Sequence, residues 1–320
     1  MRERFFFTLT GVAACICTLL LITQAFAANV IISGDYTDVG TIVVVSPKPN
    51  DSPTANGAAL LNTLNNIPSD LFQPYLIKLG PGTYNLGSNS LVMKQFVSIE
   101  GSGEEATAIT AAVSSPAATE SATVKGANNS GLRFLTVVNT GTGSYTVAIV
   151  NSSASPSMLH VTAAASGGTT SNFGVFNYLS SPTMTNVTAS GGGGTNSSIG
   201  VYNSSSSPMM TNVTASGSGG TNNYGVSNDA SSPTMTNVTV DGSGGTASYG
   251  VYNSGSGLVK INHSRIRGAI TISNGSGVNT RVGNTQLDGG AATNSGTIAC
   301  VGLYDQNYAK ITAIGATACQ

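Results

Sequence analysis

Short runs in which apolar and polar residues alternate recur along the chain at a nearly constant interval. The segments 155–180, 181–206, 207–231 and 232–256 share one order: Ser-Pro, a run such as Met-Thr-Asn-Val-Thr, a glycine-rich stretch, and a second run such as Gly-Val-Tyr-Asn. Alternating runs of this length, bounded by glycine and proline, are typical of β-strands. No segment within these repeats is long and apolar enough to predict a helix.

Two columns of equivalent residues extend the repeat beyond its obvious copies. The first is apolar and consists of Leu132, Met158, Met184, Met210, Met235, Ile261 and Val282. The second consists of Asn151, Asn177, Asn203, Asn228, Asn253 and Asn274. Steps of 25 or 26 positions separate the members of each column, except that the last step is shorter in both. The step between members shortens at the same place in both columns, so the repeat unit as a whole is shorter there.

These columns predict an all-β fold, a single-stranded right-handed parallel β-helix (a β-solenoid) whose rungs are 21–26 positions long. Successive rungs of such a fold pair at about 4.8 Å, so equivalent side chains stack. We expect the apolar column to fill the interior and the Asn column to form a hydrogen-bonded ladder where the chain bends. The glycine before valine in each repeat predicts a tight turn or a positive φ angle at Gly174, Gly200, Gly225 and Gly250.

The ends of a solenoid require caps because their outermost strands have unpaired edges. We predict a short N-terminal capping helix over residues 55–67, whose apolar face consists of Ala59, Leu60, Leu64 and Ile67.

The predicted organisation is N-terminal strands and capping helix over 28–75, the parallel β-helix over 76–290 and a C-terminal cap over 291–320. The C-terminal cap contains Cys300 and Cys319, and we expect these two residues to form a disulfide in an oxidising compartment.

The segment 1–27 has the features of an export signal. A charged start precedes an apolar run from Phe5 to Ile22, and Ala25-Phe26-Ala27 is an A-x-A cleavage signal. We predict a signal peptide over 1–27 and an exported chain that is secreted, periplasmic or on the cell surface, with no membrane span after cleavage. A retained transmembrane anchor and a lipoprotein attached through Cys15 are the alternatives.

The composition excludes several classes of protein. Charged residues make up 8% of the 320 residues, against about 25% in ordinary soluble proteins. A helical bundle is excluded because its exposed faces are rich in Glu, Lys and Arg. The 12 basic and 13 acidic residues give a net charge of −1, which argues against a nucleic-acid partner because such a partner requires a basic footprint.

The N-terminal third resembles a known family. The predicted helix is followed by Leu-Ile-Lys-Leu-Gly-Pro-Gly-Thr-Tyr over 76–84 and by Val-Ser-Ile-Glu-Gly-Ser-Gly over 97–103. This order is similar to the opening of pectin methylesterases and of the wider pectin-lyase-like superfamily. The resemblance covers about fifty residues and implies a right-handed parallel β-helix, often with a carbohydrate-related role outside the cell. It does not by itself carry an activity.

The catalytic residues of that superfamily are not matched. Between residues 134 and 259 there is no Lys or Arg, and the acidic residues are Asp229 and Asp241. Glycoside hydrolysis ordinarily uses two carboxylates about 5–10 Å apart, and calcium binding uses several oxygen ligands. We therefore predict no catalytic residue, no metal site and no cofactor.

Three sets of polar residues are candidates for binding or for structure. Contacts to a polysaccharide or cell-surface glycan are predicted at Tyr202, Tyr224, Tyr249 and Tyr252. A mild basic patch for an anionic glycan or lipid is predicted from Lys260 and Arg281, with His263 and Arg265 nearby. A structural stack of alternating charge across three rungs is predicted from Asp241, Arg267 and Asp288.

The histidines, His160 and His263, occupy the column of Asn186, Asn212 and Asn237, where we expect each to replace an asparagine.

Two functions remain. The first is an exported, non-enzymatic β-helix protein that serves as a surface scaffold, adhesion module or glycan-contacting module. The alternative is a carbohydrate-active enzyme of the pectin-lyase-like group, a lyase, esterase or hydrolase with an atypical site. The scarcity of ionisable groups in the middle rungs favours the first.

Overall fold

The computed structural model describes residues 40–68, 73–314 and 317–320. Within that part of the chain, parallel strands form an 18-stranded sheet and a 9-stranded sheet, and a two-stranded hairpin lies near the C-terminus. The predicted signal peptide over 1–27 and Cys15 lie outside the described residues. None of the described residues belongs to a helix with the length and hydropathy needed to cross a bilayer.

Each rung contributes strands to three faces. Face 1 contains Thr41–Val45, Tyr75–Leu79, Val97–Glu100, Met209–Thr211, Thr234–Thr236, Gly257–Asn262, Val278–Gly283 and Thr297–Val301. Face 2 contains Gly82–Asn85, Thr107–Ala111, Thr214–Ser218, Thr239–Ser243, Arg265–Gly268, Gln286–Gly289 and Tyr304–Asp305. Three long strands bend and belong to both of these faces, namely Gly131–Asn139, Ser157–Ser166 and Thr183–Gly192.

Face 3 is the 9-stranded sheet. It contains Leu91–Val92, Ala122–Lys125, Tyr145–Ser152, Ser171–Tyr178, Ser197–Ser204, Asn222–Asp229, Ala247–Ser254, Ile270–Asn274 and Thr293–Asn294. The C-terminal hairpin pairs Ala313–Ile314 with Thr317–Ala318.

The predicted apolar column stacks in register inside the solenoid. Its members pair rung by rung on face 1, and each is at most 2% exposed. Ile261 pairs with Val282 across the shortened step, so the short rung keeps its register. In that rung a single residue joins face 2 to face 3 after Gly268, whereas a longer connection follows Ser243 in the preceding rung. The predicted β-solenoid is confirmed.

The glycines before valine do not lie in turns, so that prediction is wrong. Gly174 lies inside the face 3 strand Ser171–Tyr178, and a Cβ atom there would be 2.5 Å from the Ser190 backbone nitrogen. A Cβ atom at Gly200 would be 2.4 Å from the Ser216 nitrogen. Glycine is required because the backbone of face 2 passes directly against face 3 at this level.

The bend between faces 1 and 2 is made by one residue per rung with a φ angle of 44–55°, namely Phe134, His160, Asn186, Asn212, Asn237, His263 and Asn284. Asparagine tolerates this left-handed conformation better than most residues. Asn212 Nδ2 donates to Asn186 Oδ1 at 2.9 Å, and Asn186 Nδ2 lies 3.0 Å from His160 Nε2. His160 therefore continues a partly exposed ladder of amides.

The second Asn column forms a buried ladder at the end of the face 3 strands. Four successive Nδ2–Oδ1 hydrogen bonds, each 2.8 Å long, join Asn151, Asn177, Asn203, Asn228 and Asn253. These asparagines are at most 1% exposed. The chain bends two residues further on, at Ser153, Leu179, Ser205 and Ala230. At the short rung the Thr280 hydroxyl is inserted between Asn253 and Asn274.

The capping helix extends from Pro53 to Asn66. Ser52 caps its N-terminus, because the hydroxyl accepts a hydrogen bond from the Ala55 nitrogen at 3.1 Å. Asn56 Nδ2 donates to the Thr83 carbonyl at 3.1 Å, on the edge of the first face 2 strand. The helix therefore covers a sheet edge that would otherwise be unpaired. A short 3-10 helix over Ala118–Glu120 lies beside face 3.

Cys300 and Cys319 form a disulfide in the C-terminal cap. Cys300 belongs to the last face 1 strand. The Gln320 nitrogen donates to the Cys300 carbonyl, and the Gly302 nitrogen donates to the Gln320 carbonyl, both at 3.0 Å. The end of the chain is thus held beside face 1 by covalent and hydrogen bonds together.

Candidate functional site

The outer side of face 3 carries two columns of side chains, most of which are large and apolar or aromatic. One column runs through Val147, Phe173, Ile199, Tyr224, Tyr249 and Ile270. The other runs through Val150, Phe176, Tyr202, Ser227, Tyr252 and Ser273. The valines between the two columns point into the solenoid core, whereas the outer side chains of the earlier rungs, as far as Tyr224, pack into a separate hydrophobic cluster. Face 3 therefore has an apolar surface on each side.

Three of the four predicted tyrosines form a compact group, which we call the tyrosine triad: Tyr224, Tyr249 and Tyr252. The rings of Tyr224 and Tyr249 are stacked, with centroids 5.3 Å apart and an angle of 8° between their planes. Tyr252 meets Tyr224 and Tyr249 edge to face, at 5.4 and 5.2 Å. All three side chains are half-buried, so each presents part of its ring to solvent.

Tyr202 joins a second group with two phenylalanines. Its ring lies 5.1 Å from Phe176 and 5.7 Å from Phe173. Phe173 and Phe176 are 6 and 7% exposed, whereas Tyr202 is half-buried. The phenylalanines therefore support the surface on which Tyr202 and the tyrosine triad lie.

The surroundings of Tyr202 and Tyr224 favour the protonated form of their hydroxyls by raising the pKa of both. Burial raises the pKa of Tyr224, and the neighbouring phenols of Tyr249 and Tyr252 raise it further because ionised phenols repel one another. Burial also raises the pKa of Tyr202, and the Asp229 carboxylate adds to this effect. A neutral phenol both donates and accepts hydrogen bonds.

The predicted basic patch is divided between two faces. Lys260 and Arg281 are exposed and lie opposite one another on adjacent face 1 strands. Arg265 lies on face 2 and forms an ion pair with Asp288. Arg265 is therefore separate from the other two cations, because the chain bends at His263.

The predicted stack of alternating charge has the expected register, and one of its two ion pairs forms as predicted. Asp241 pairs with Arg267 across the sheet, and Arg267 pairs with Asp288. Arg267 Nη1 lies 3.6 Å from Asp241 Oδ2. The carboxylate of Asp288 contacts Arg265, which lies two residues before Arg267 along the same strand, so the ion pairing runs diagonally.

The alignment of repeats does not reveal one pair of neighbouring ionisable residues, Glu104 and His160. Glu104 Oε1 lies 3.7 Å from His160 Nδ1, and the Thr162 hydroxyl donates to Glu104 Oε2 at 2.6 Å. The ring of Phe134 stacks on His160 at 5.2 Å, and Glu104, Phe134 and His160 line a cavity of about 500 Å³. Glu104 lies outside the regular repeat, so column alignment could not bring it beside His160.

The two acidic residues of the middle rungs do not share a face. Asp229 ends a face 3 strand, and Asp241 lies on a face 2 strand. Across residues 40–68, 73–314 and 317–320, no three His, Cys, Asp or Glu side chains are grouped so as to hold a metal ion.

No protein-family model matches the sequence, and a search of curated proteins gives no match. Solved structures do match the fold. The Dettilon tailspike protein (gp208) has a TM-score of 0.50 and 10% identity, over 87% of this chain and 57% of that one. Pectin methylesterase from Yersinia enterocolitica has a TM-score of 0.47 and 12% identity, over 81% of this chain and 92% of that one. Pectin methylesterase PemA from Erwinia chrysanthemi has a TM-score of 0.47 and 13% identity, over 90% of this chain and 94% of that one.

At these identities the likeness concerns the fold alone. The fold is a right-handed parallel β-helix, as the resemblance in the N-terminal third predicts. The resemblance is confirmed at the level of the fold.

Proposed function

We propose that this protein is an exported β-helix module that contacts a polysaccharide or a cell-surface glycan through the outer side of face 3 without cleaving or modifying it. The observation that carries the proposal is the tyrosine triad, in which three half-buried rings lie within 5.4 Å of one another on adjacent strands. Export itself remains a proposal that depends on the sequence of the segment 1–27.

The chemistry of the triad suits a sugar polymer. Sugar rings present C–H groups on their faces and hydroxyls on their edges, and tyrosine offers an apolar ring with a polar tip. Contiguous apolar surface with polar groups at its margin marks interaction sites on soluble proteins. Because Tyr202 adds a fourth ring one rung away from Tyr224, the surface extends along the axis of the solenoid, as an extended polymer requires.

The placement of the acidic residues supports binding without turnover. General acid–base catalysis requires titratable groups within hydrogen-bond reach of the substrate. Asp229 ends a face 3 strand, whereas Asp241 lies on a face 2 strand. The two carboxylates therefore do not converge on a sugar bound to the tyrosines.

The proposal is tested by affinity electrophoresis of the purified protein in gels that contain neutral polysaccharides. We expect retardation by at least one polymer, and a variant with Tyr224→Ala and Tyr252→Ala should bind about tenfold more weakly. Tyr308→Ala is the matched control, because Tyr308 is 80% exposed and lies in the C-terminal cap. Circular dichroism establishes that each variant is folded.

Two results contradict this proposal. The first is unchanged retardation of the folded double variant, which places the contact elsewhere. The second is release of reducing or unsaturated ends from a bound polymer by the wild-type protein, which shows turnover.

The alternative, a carbohydrate-active enzyme, is favoured by the cavity that contains Glu104 and His160. A carboxylate beside an imidazole is a common acid–base arrangement, and Glu104 retains 28% exposure. An enzyme that uses this cavity would lose polymer cleavage in the Glu104→Gln variant while keeping its fold. Cleavage that is abolished by this substitution and unaffected by changes to the tyrosine triad would establish the alternative.

A further inference from the structure

The C-terminal end of face 1 contains a cavity that the proposed function does not use. Its volume is about 710 Å³, and it lies between the outer surface of the last face 1 strands and the end of the chain. Its lining includes a wall formed by Thr317, Ala318 and Gln320, together with Lys260 and Arg281 of face 1. The residues that line it include two cations and no acidic residue.

The two cations lie where like charges repel. Lys260 and Arg281 are directly opposite one another on adjacent strands, an arrangement that ordinarily destabilises a sheet. Both are exposed, and neither has an acidic partner in an ion pair among the residues that the structure describes. Their positive charge is therefore uncompensated within the described part of the chain.

The opposite end of the same face shows how this protein compensates such charges. There Glu100 lies between two cations on adjacent strands. Its carboxylate oxygens lie 3.0 Å from Lys78 Nζ and 2.6 Å from Arg133 Nε. An anion is part of the sheet at one end of face 1, whereas at the other end two cations face a cavity.

The wall of the cavity is held in place. The disulfide joins Cys319 to Cys300 on the last face 1 strand. The Cys319 nitrogen also donates to the Thr312 carbonyl at 2.8 Å. A preorganised wall reduces the entropy that the protein loses when a ligand binds.

From this geometry we infer that the cavity binds a phosphate group, either as free phosphate or carried on a sugar. A phosphate monoester has a charge of about −1.5 to −2 at pH 7, which compensates Lys260 and Arg281 together. A single carboxylate compensates only one of them. The arginine fork and the lysine ammonium are both established phosphate ligands in proteins, and Thr236 and Asn262 add polar side chains to the lining.

The inference is tested by titrating the isotope-labelled protein with inorganic phosphate and with glucose 6-phosphate, and following the backbone amide resonances by NMR. We expect saturable shifts for Lys260, Arg281 and Gln320 with at least one of the two probes. Stronger binding of glucose 6-phosphate identifies a sugar phosphate as the source, and equal binding identifies the phosphate group alone. The variant with Lys260→Gln and Arg281→Gln should bind about tenfold more weakly or not at all.

The control variant is Arg267→Gln, because Arg267 is an exposed arginine on face 2 that does not line this cavity. It should bind both probes like the wild-type protein. Three results overturn the inference: no saturable shift with either probe, unchanged affinity in the double variant, or tighter binding of galacturonate than of either phosphate compound. Because the readout is the set of shifted resonances, loss of glycan binding at the tyrosine triad would not affect it.

Discussion

At the scale of the residue, Tyr84 shows how a sequence motif becomes a structural contact. It is the tyrosine of Pro-Gly-Thr-Tyr, and its side chain is 0% exposed. The hydroxyl is 2.9 Å from the carbonyl oxygens of both Val45 and Gly80, so its single proton is shared between these two acceptors. Val45 ends the first face 1 strand and Gly80 follows the second, so Tyr84 joins the first two rungs beneath the capping helix.

Tyr84 also predicts how stability depends on pH. Burial raises the pKa of Tyr84 to about 12, although its hydrogen bond with Gly80 lowers it, while the unfolded chain has a value of about 10. Its contribution is fully present below about pH 10 and is lost as pH rises through the pKa of the folded state. Denaturant unfolding at pH 8 and near pH 12 should show a loss about 2–3 kcal/mol larger for the wild type than for Tyr84→Phe. Parallel losses in the two proteins would contradict this.

At the scale of the element, the buried Asn ladder joins the face 3 strands beyond their backbone hydrogen bonds. Each inner amide donates to the next rung and accepts from the previous one. A buried amide that is left without its partner destabilises the fold by the full desolvation penalty of the unpaired group. The ladder therefore links neighbouring rungs in a chain in which every inner member has two partners.

Asn203 tests this chain, because its removal leaves Asn177 Nδ2 and Asn228 Oδ1 without partners. We expect Asn203→Ala to lower the free energy of unfolding by about 2–4 kcal/mol, the sum of two unsatisfied groups. Ser207→Ala is the control, since Ser207 is exposed and should change stability by less than about 0.5 kcal/mol. Equal melting temperatures for the two variants would show that the ladder adds nothing to stability.

The C-terminal cap is a second element that can be tested. The disulfide closes a loop with a sequence separation of 19 residues, and such a loop contributes about 2–4 kcal/mol. Replacing both Cys300 and Cys319 with serine should therefore lower the stability of the cap, measured by hydrogen exchange of residues 297–301. Intact-mass measurement of the protein from an oxidising compartment should show no free thiol at these positions, and two free thiols would contradict the disulfide.

At the scale of the whole molecule, each rung contacts mainly its two neighbours. The longest strand pairs connect residues that are one repeat apart, and the repeat unit is structurally interchangeable. Stability of such a solenoid is approximately the sum of rung and interface contributions. The number of rungs can therefore change without a change of fold, provided that each deletion removes a complete unit.

We accordingly expect the chain without residues 181–206 to fold. This deletion brings Met158 opposite Met210 and Asn177 opposite Asn228, so the apolar column and the ladder both continue. The maximum dimension from small-angle X-ray scattering should fall by about 5 Å. Deletion of residues 194–206 alone removes one face 3 strand. This variant should not fold and should therefore show no cooperative unfolding transition. A folded protein from the second deletion, or an unfolded one from the first, would contradict the interchangeability of the rungs.

The stacking register is determined by the sequence, because in a solenoid equivalent residues lie one repeat apart along the chain and one strand apart in space. The steps between Met158 and Val282 therefore predict contacts directly. The same regularity identifies the buried Asn ladder. For these features, the repeat along the sequence and the pairing of strands in space give the same register. The capping helix is also determined by the sequence, through its local pattern of apolar residues.

Only the tertiary structure decided the contacts that do not follow the repeat. The pairing of Glu104 with His160 and the diagonal ion pair of Arg265 with Asp288 each join positions that the column alignment leaves apart. The return of the chain end to the surface beside Lys260 belongs to this group as well. The path of each non-repeating segment depends on the packing of the complete solenoid, because no equivalent residue in an adjacent rung specifies its position.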